Sequence, residues 1–211
     1  ASNMNIKLTH SFMFLCIDPD NLLKGCTKFN TFASRLEKQA KTYASQFNPD
    51  PDSKEFKNNE NVYRGAGFEM FCEWLIRSFP YDKRIGITEF KCVDGEEDTG
   101  VDGYGIGWNG KPATMQAKYR QADHVLTSNG DNIDRIVTAS QNKYGVAVDE
   151  HENMLVITCG KEVNWFTNDK MMYGKVRTIN RKKIRNLVDG HLLFWRDFLA
   201  TWKESLPKKA N

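Results

Sequence analysis

Asp102, Gln116 and Lys118 are the side chains whose types and spacing point most directly to chemistry. Gln116 and Lys118 lie two apart in a run that alternates like a strand, so both leave the same face. Asp102, wedged between Val101 and Gly103, stands at the far end of the preceding run. Asn109-Gly110 between the two runs is a hairpin signal. A carboxylate, an amide oxygen and an ammonium at one end of a hairpin suit a hard divalent cation beside a phosphate. The oxygens would hold Mg²⁺, and the lysine would meet the anion or the attacking water. Surface strands also carry Gln and Lys on a solvent face, and Asp-Gly is common turn chemistry. Two details weigh against that plainer view. Gly100, Gly103, Gly105 and Gly107 strip side chains from one run, permitting close approach. Asp94, Glu96, Glu97, Asp98 and Asp102 crowd together, which is costly unless a cation or solvent relieves them.

Register decides whether these groups meet. A strict two-residue hairpin at Asn109-Gly110 pairs Trp108 with Lys111, and counting outward sets Asp102 opposite Ala117. Asp102 would then point away from Gln116 and Lys118. A site therefore requires an odd shift, from a wider loop or a bulge, placing the carboxylate and the ammonium on one side of the sheet. Gly103, Gly105 and Gly107 tolerate bulge dihedrals, and Pro112 lacks the N–H that tight pairing would use.

Other elements must position this hairpin. Residues 4–17 alternate weakly and suggest a short strand or irregular packing, and Asp18-Pro19-Asp20 reads as a turn and helix cap. Leu22, Cys26, Phe29, Ala33, Leu36, Ala40, Tyr43 and Phe47 predict an amphipathic helix with a basic outer surface. Its stripe suits packing on the chain's own core, a dimer seam or a DNA-contacting arm. Residues 48–61, polar with two prolines, predict a linker, dividing an N-terminal helical extension (1–61) from a main domain (62–211). A second helix over 65–79 buries Phe68, Phe71, Cys72, Leu75 and Ile76, with Glu69 at the margin of the stripe and Glu73 beyond it. A strand over 85–93, the hairpin, and a turn at 128–130 with Asp131 as a cap come next. A helix over 133–144, a strand over 155–159, an aromatic loop at Trp165-Phe166 and a strand over 176–179 follow. A basic helix starts near Arg181, and a last helix covers 192–202. This order predicts a mixed α/β sandwich around a central sheet.

The 211 residues, 40% hydrophobic, suffice for one α/β core with an accessory element. No apolar stretch reaches membrane-spanning length and no secretory leader is evident, so a soluble, unexported, cytoplasmic protein is expected. Five cysteines without a CxxC pair, and four histidines without ligand spacing, argue against disulfides and structural zinc. No phosphate loop or dinucleotide turn is present. The net charge is +3. Lys170, Lys175, Arg177, Arg181, Lys182, Lys183 and Arg185 form a run without an acid, while acids concentrate around 94–102. A basic surface beside an acidic pocket would attract phosphate around a cation-holding centre, although such runs are commonly solvated faces.

Asp-x-Gly-Val-Asp-Gly, a short gap, then Gln-Ala-Lys resembles the core of the PD-(D/E)xK nucleases, and most closely their Mrr-like restriction endonuclease branch, where Gln commonly replaces the second acid. Gly67-Phe-Glu-x-Phe71 is similar to that branch's first core helix, and Met154 to Gly160 to its next core strand. The resemblance covers residues 62–200 in outline, with Val101 where the family name has proline. It implies a restriction-endonuclease-like mixed central sheet flanked by helices, and a Mg²⁺-dependent endonuclease (Mn²⁺ substituting) hydrolysing double-stranded DNA. By the same resemblance Asp102 and Gln116 are metal ligands, joined by the Ala117 carbonyl. Lys118 positions or activates water, and Glu69 makes a water-mediated or second-metal contact. Arg120, Lys175, Arg177, Arg181, Lys182 and Lys183 are the expected DNA contacts. Two alternatives stay open: a catalytically silent nucleic-acid-binding module on this fold, and an interaction protein, for example a homodimer, assembling through helix 22–47.

Overall fold

In the computed structural model, which describes residues 6–16, 18–94, 100–165 and 173–207, the chain divides into two compact units. Residues 1–70 and 185–211 form the first, and residues 71–184 the second.

The first unit contains α1 (Phe12–Leu15), α2 (Asp20–Leu23), α3 (Phe29–Ser45), the opening turns of α4 (Lys54–Ser78) and, from the chain's end, α7 (Leu192–Ser205). Where a strand or irregular packing was expected near the N-terminus, Phe12–Leu15 is helical, with Phe12 fully buried. Asp18 accepts the Asp20 N–H at 3.0 Å, starting α2 as the capping signal predicted. The single helix expected over 22–47 is two. Gly25, at φ +69°, turns the chain, and extended Lys28 separates α2 from α3. Lys28 cannot cap, so the first amide of α3 is answered from afar: Phe29 N–H donates to Asp189 Oδ1 at 2.9 Å. The predicted linker is also shorter, because Ser53 accepts the Phe56 N–H and α4 already runs from Lys54.

The stripe on α3 is consumed inside this unit. Phe29, Phe32, Ala33, Leu36 and Ala40 are buried. The Phe32 ring lies 6.2 Å from those of Trp195 and Phe198 on α7, and the Phe12 ring 5.7 Å from Trp202. Gly67 lets α4 approach closely, since a Cβ there would stand 2.5 Å from Leu36 Cδ1. Most of the stripe thus serves the chain's own core, while Phe47 at its end is exposed.

The second unit is organised by a five-stranded sheet in the order β1-β2-β3-β5-β7, formed by Ile87–Cys92, Gly103–Gly107, Pro112–Lys118, Met154–Thr158 and Arg177–Ile179. β1, β2 and β3 pair antiparallel, whereas β3, β5 and β7 run parallel. Parallel neighbours need a crossover. Between β3 and β5 it comprises β4 (Val125–Thr127) and α5 (Arg135–Lys143), and β4 pairs with β6 (Glu162–Asn164) in a separate small ladder. α6 (Arg181–Val188) follows β7. α5 lies over the sheet face that carries Thr114, whose hydroxyl meets Ser140 at 2.7 Å. Val101, Leu126, Ile133, Ile136, Val137, Met154 and Val156 form the core there, with Trp165 packed against it. Phe166, its expected partner in an aromatic loop, lies outside the described residues. Asp131 does not cap α5 as predicted; it serves the preceding loop. Among the described residues no helix is long and apolar enough to cross a membrane.

Candidate metal centre beside the central hairpin

The hairpin between β2 and β3 has the expanded loop that a site requires. Gly103 pairs with Met115, Tyr104 with Thr114, Gly105 with Ala113 and Ile106 with Pro112. Gly107 N–H donates to Lys111 O at 2.8 Å, and the loop holds Trp108, Asn109 and Gly110. Gly110 takes φ +76° and its N–H donates to Gly107 O at 3.0 Å. This is a turn closed by a left-handed residue, a three-residue hairpin. Relative to a two-residue loop it moves every partner by one, so the regular pairing of Asp102 with Ala117 does not form.

Asp102 instead brackets Gln116. Its N–H donates to Met115 O at 2.8 Å, and its Oδ2 accepts the Ala117 N–H at 2.7 Å. The carboxylate therefore substitutes for a backbone carbonyl where the ladder ends. Val93 N–H donates to the Asp102 carbonyl at 3.0 Å, fixing the residue from the other side. Gly100, at φ +85°, leads into it: a Cβ there would lie 2.8 Å from Arg135 Cβ, so only glycine fits against the start of α5.

Gln116 is 2% exposed, and its Oε1 is buried without a hydrogen-bond partner. A buried acceptor left unanswered costs about 1–3 kcal/mol, so this oxygen stands out. Its strand parity puts it on the face of Thr114 and Lys118. Lys118, half-buried, ends β3, and its carbonyl accepts from Thr158 Oγ1 at 2.7 Å. Ala117, expected to lend its carbonyl, is buried and gives its N–H to Asp102.

Glu69 belongs to the first unit. Phe12 N–H donates to His10 Nδ1 at 3.1 Å, so His10 Nε2 carries the proton and donates to Glu69 Oε2 at 2.8 Å. This pairing accounts for Glu69 without a metal. Glu73 is fully buried and takes two bonds from Arg77, Nε at 3.0 Å and an Nη at 2.9 Å. Among the described residues no three His, Cys, Asp or Glu side chains gather as a metal site. Among the described residues the donor set at the hairpin is thus one carboxylate and one amide; Glu96, Glu97 and Asp98 of the expected acidic cluster lie outside them.

The expected DNA contacts fall into two groups. Arg177 is turned to structure: Nε donates to Glu152 O at 2.6 Å and an Nη to Arg84 O at 3.0 Å. Arg181 Nε donates to Cys159 O at 2.7 Å, and Arg120 Nε to Asp131 Oδ1 at 2.6 Å. Lys175, Lys182 and Lys183 are exposed, with Lys183 Nζ 3.1 Å from Thr178 O.

One polar cluster escaped sequence reasoning. Asp131, 4% exposed, accepts from Arg120, from His124 Nε2 at 2.9 Å and from Thr127 N–H at 2.8 Å. Burial alone would raise its pKa, but the bonds from Arg120, Thr127 and His124 hold it below the ordinary value. Nothing in the local spacing of Arg120, His124 and Asp131 announces this, because the loop's shape depends on β4 meeting β6. No protein-family profile matches the chain, and no curated protein or solved structure matches it.

Proposed function

We propose that this chain is a metal-dependent DNA endonuclease on a restriction-endonuclease-like fold. The observation that carries the reading is Asp102 bracketing Gln116, whose buried oxygen lacks a partner. The resemblance implies a mixed central sheet flanked by helices, and the antiparallel β1-β2-β3 meander continued by parallel β5 supports that reading.

An orphaned amide oxygen beside a carboxylate fits a hard cation, so Asp102 and Gln116 would hold Mg²⁺ or Mn²⁺, with the Ala117 carbonyl as a third oxygen. When bound, such an ion supplies Lewis-acid polarisation of the phosphodiester and offsets charge as the phosphorus gains its fifth oxygen. With Asp102 as the anionic ligand the protein's hold on such an ion would be modest, and substrate phosphate oxygens would add to it. Lys118 leaves the Gln116 face half-exposed, where its ammonium orients the attacking water and neutralises the non-bridging oxygens. The exposed lysines 175, 182 and 183 contribute non-specific attraction to the duplex.

A second reading, a silent nucleic-acid-binding module, is favoured by one contact: Asp102 Oδ2 already serves the Ala117 N–H. A cleavage panel with plasmid, linear and single-stranded DNA, in Mg²⁺ and in EDTA, separates the two. The endonuclease should cut in Mg²⁺ alone. Asp102→Asn and Lys118→Ala should each lower the rate by about 10²-fold or more, while Asn still offers an acceptor to the Ala117 N–H and preserves folding. DNA binding without cutting under all conditions supports the silent module.

A further inference from the structure

The polar cluster at the carboxyl ends of β3 and β5 has the construction of a built site. Four hydrogen bonds tie the end of β3 and the segment after it to the end of β5 and the segment after that. Thr158 Oγ1 donates to Lys118 O, and Gly160 N–H donates to Thr158 Oγ1 at 3.0 Å. The Arg120 N–H and carbonyl exchange bonds with Cys159 Sγ at 3.3 and 3.2 Å. Burial pushes the Cys159 thiol up to about 11, so it stays the protonated donor to that carbonyl. Lys161 N–H donates to His124 O at 2.8 Å. Gly160 makes the approach possible, since a Cβ there would stand 2.6 Å from Leu126 Cδ1 and 3.0 Å from His124 O. Arg181 closes the ring, with its N–H on Gly160 O at 3.1 Å and its Nε on Cys159 O.

This scaffold brings Arg120, His124, Lys161 and Arg181 to one place. Asp131 is buried and saturated by three donors, so it fixes the Arg120 and His124 side chains, which stay 32% and 43% exposed, without presenting its own charge to a ligand. Asp123 and Glu162 are the exposed acids adjoining His124 and Lys161 in sequence. In open α/β sheets, ligands bind beyond the carboxyl ends of parallel strands. Arg120 also gives an Nη1 N–H to Tyr119 O at 2.7 Å, and the guanidinium's remaining N–H groups can be offered to an oxyanion.

We infer that Arg120, His124 and Lys161 form a phosphate-gripping bracket for the DNA backbone, with Asp131 as its positioning residue. The inference rests on the DNA-directed reading above and adds to it a located contact, two residues beyond Lys118. Asp131 acts through Arg120 and His124, and it gives an unusual sign. If charge alone mattered, removing an acid near a polyanion would tighten binding. A positioning role predicts weaker binding.

The test is fluorescence-anisotropy titration of a labelled DNA duplex in EDTA over a range of salt, with thermal melts as the folding control. Asp131→Asn should weaken binding several-fold. Arg120→Ala and Lys161→Ala should each reduce the slope of log affinity against log salt by about one. Lys161 has an exposed side chain, so its variant remains informative if substitution at Arg120 or Asp131 unfolds the chain. Binding by Asp131→Asn that is as tight as wild type or tighter overturns the positioning role. Unchanged slopes for both cation variants overturn the bracket. Wild-type protein that cuts DNA while these slopes stay unchanged leaves the endonuclease reading intact and sinks this inference alone. Wild-type protein that binds DNA with the expected slope losses and never cuts does the reverse, and absence of DNA binding removes both.

Discussion

Phe32 in the first unit and Gln116 in the second are 1% and 2% exposed, yet they are held in opposite ways. Phe32 sits among rings, 6.2 Å from Trp195 and from Phe198, and nothing about it needs a particular direction. Gln116 brings a polar oxygen into the interior and leaves it without a partner. A packed aromatic stabilises wherever volume is filled, whereas an unanswered amide is retained only at a cost. The contrast extends outward. In the first unit even a polar pair is closed locally, with His10 answering Glu69. The second unit depends on strand register, which fixes what Asp102 can reach, and carries a fixed polar cluster at its strand ends.

The largest expected effect tests the packed side of this contrast. Leu36 is 1% exposed and lies against Gly67. Leu36→Asp removes a core side chain, worth about 2–5 kcal/mol, and buries a carboxylate besides. Chemical denaturation should show at least that loss, with the solution mass unchanged. A stable, folded variant of halved mass would instead restore an intermolecular role for the α3 stripe.

Much of the second unit was legible because its signals are local. The strand signals in 85–93 and 155–159, the Asn109-Gly110 turn and the basic start at Arg181 each gave an element near its observed place. The need for an odd register shift could also be argued, since parity shows that a tight hairpin would part Asp102 from Gln116 and Lys118. What stayed hidden depends on distant partners. The break at Gly25 could not be separated from an ordinary helical glycine, because the cap that starts α3 comes from Asp189. Glu69 carried the spacing of a site residue, but His10, 59 positions away, supplies its bond. Arg177 and Arg181 counted as surface charge until the carbonyls of Glu152 and Cys159 accounted for them.

The next two effects probe the polar side. Asp131→Asn should lower stability at neutral pH by about 1 kcal/mol, the cost of weakening hydrogen bonds to a charged, buried acceptor whose donors stay partly exposed. Its sign with pH follows from a folded pKa held below the unfolded one. The carboxylate's contribution is complete above about pH 3.9 and is lost as pH falls through the lower folded value. Acid titration of unfolding should therefore show the wild-type advantage shrinking below about pH 4. An advantage that is constant through that range would mean Asp131 contributes by shape alone. Gln116→Met, close in volume, should go the other way. Removing an unpartnered buried oxygen should raise stability by about 1 kcal/mol while abolishing Mg²⁺-dependent cleavage. Loss of stability would show that the amide is answered in solution, and retained cleavage would remove it from the site.

The smallest effect concerns charge at the surface, and it separates two neighbours on one helix. Lys182 is exposed at the start of α6, while Arg181 beside it donates Nε to Cys159 O at 2.7 Å. If this end of the helix meets a phosphate, Lys182→Ala should lower the salt slope of duplex binding by about one. Its melting temperature should not change, because no packing is lost. Arg181→Ala should show the complementary pattern: a measurable drop in melting temperature, since the Cys159 carbonyl loses its donor. Comparing the two variants in one titration separates ligand attraction from scaffold. A Lys182→Ala protein with the wild-type salt slope would identify this basic run as a solvated face, and the DNA path would then have to be carried by the strand-end bracket.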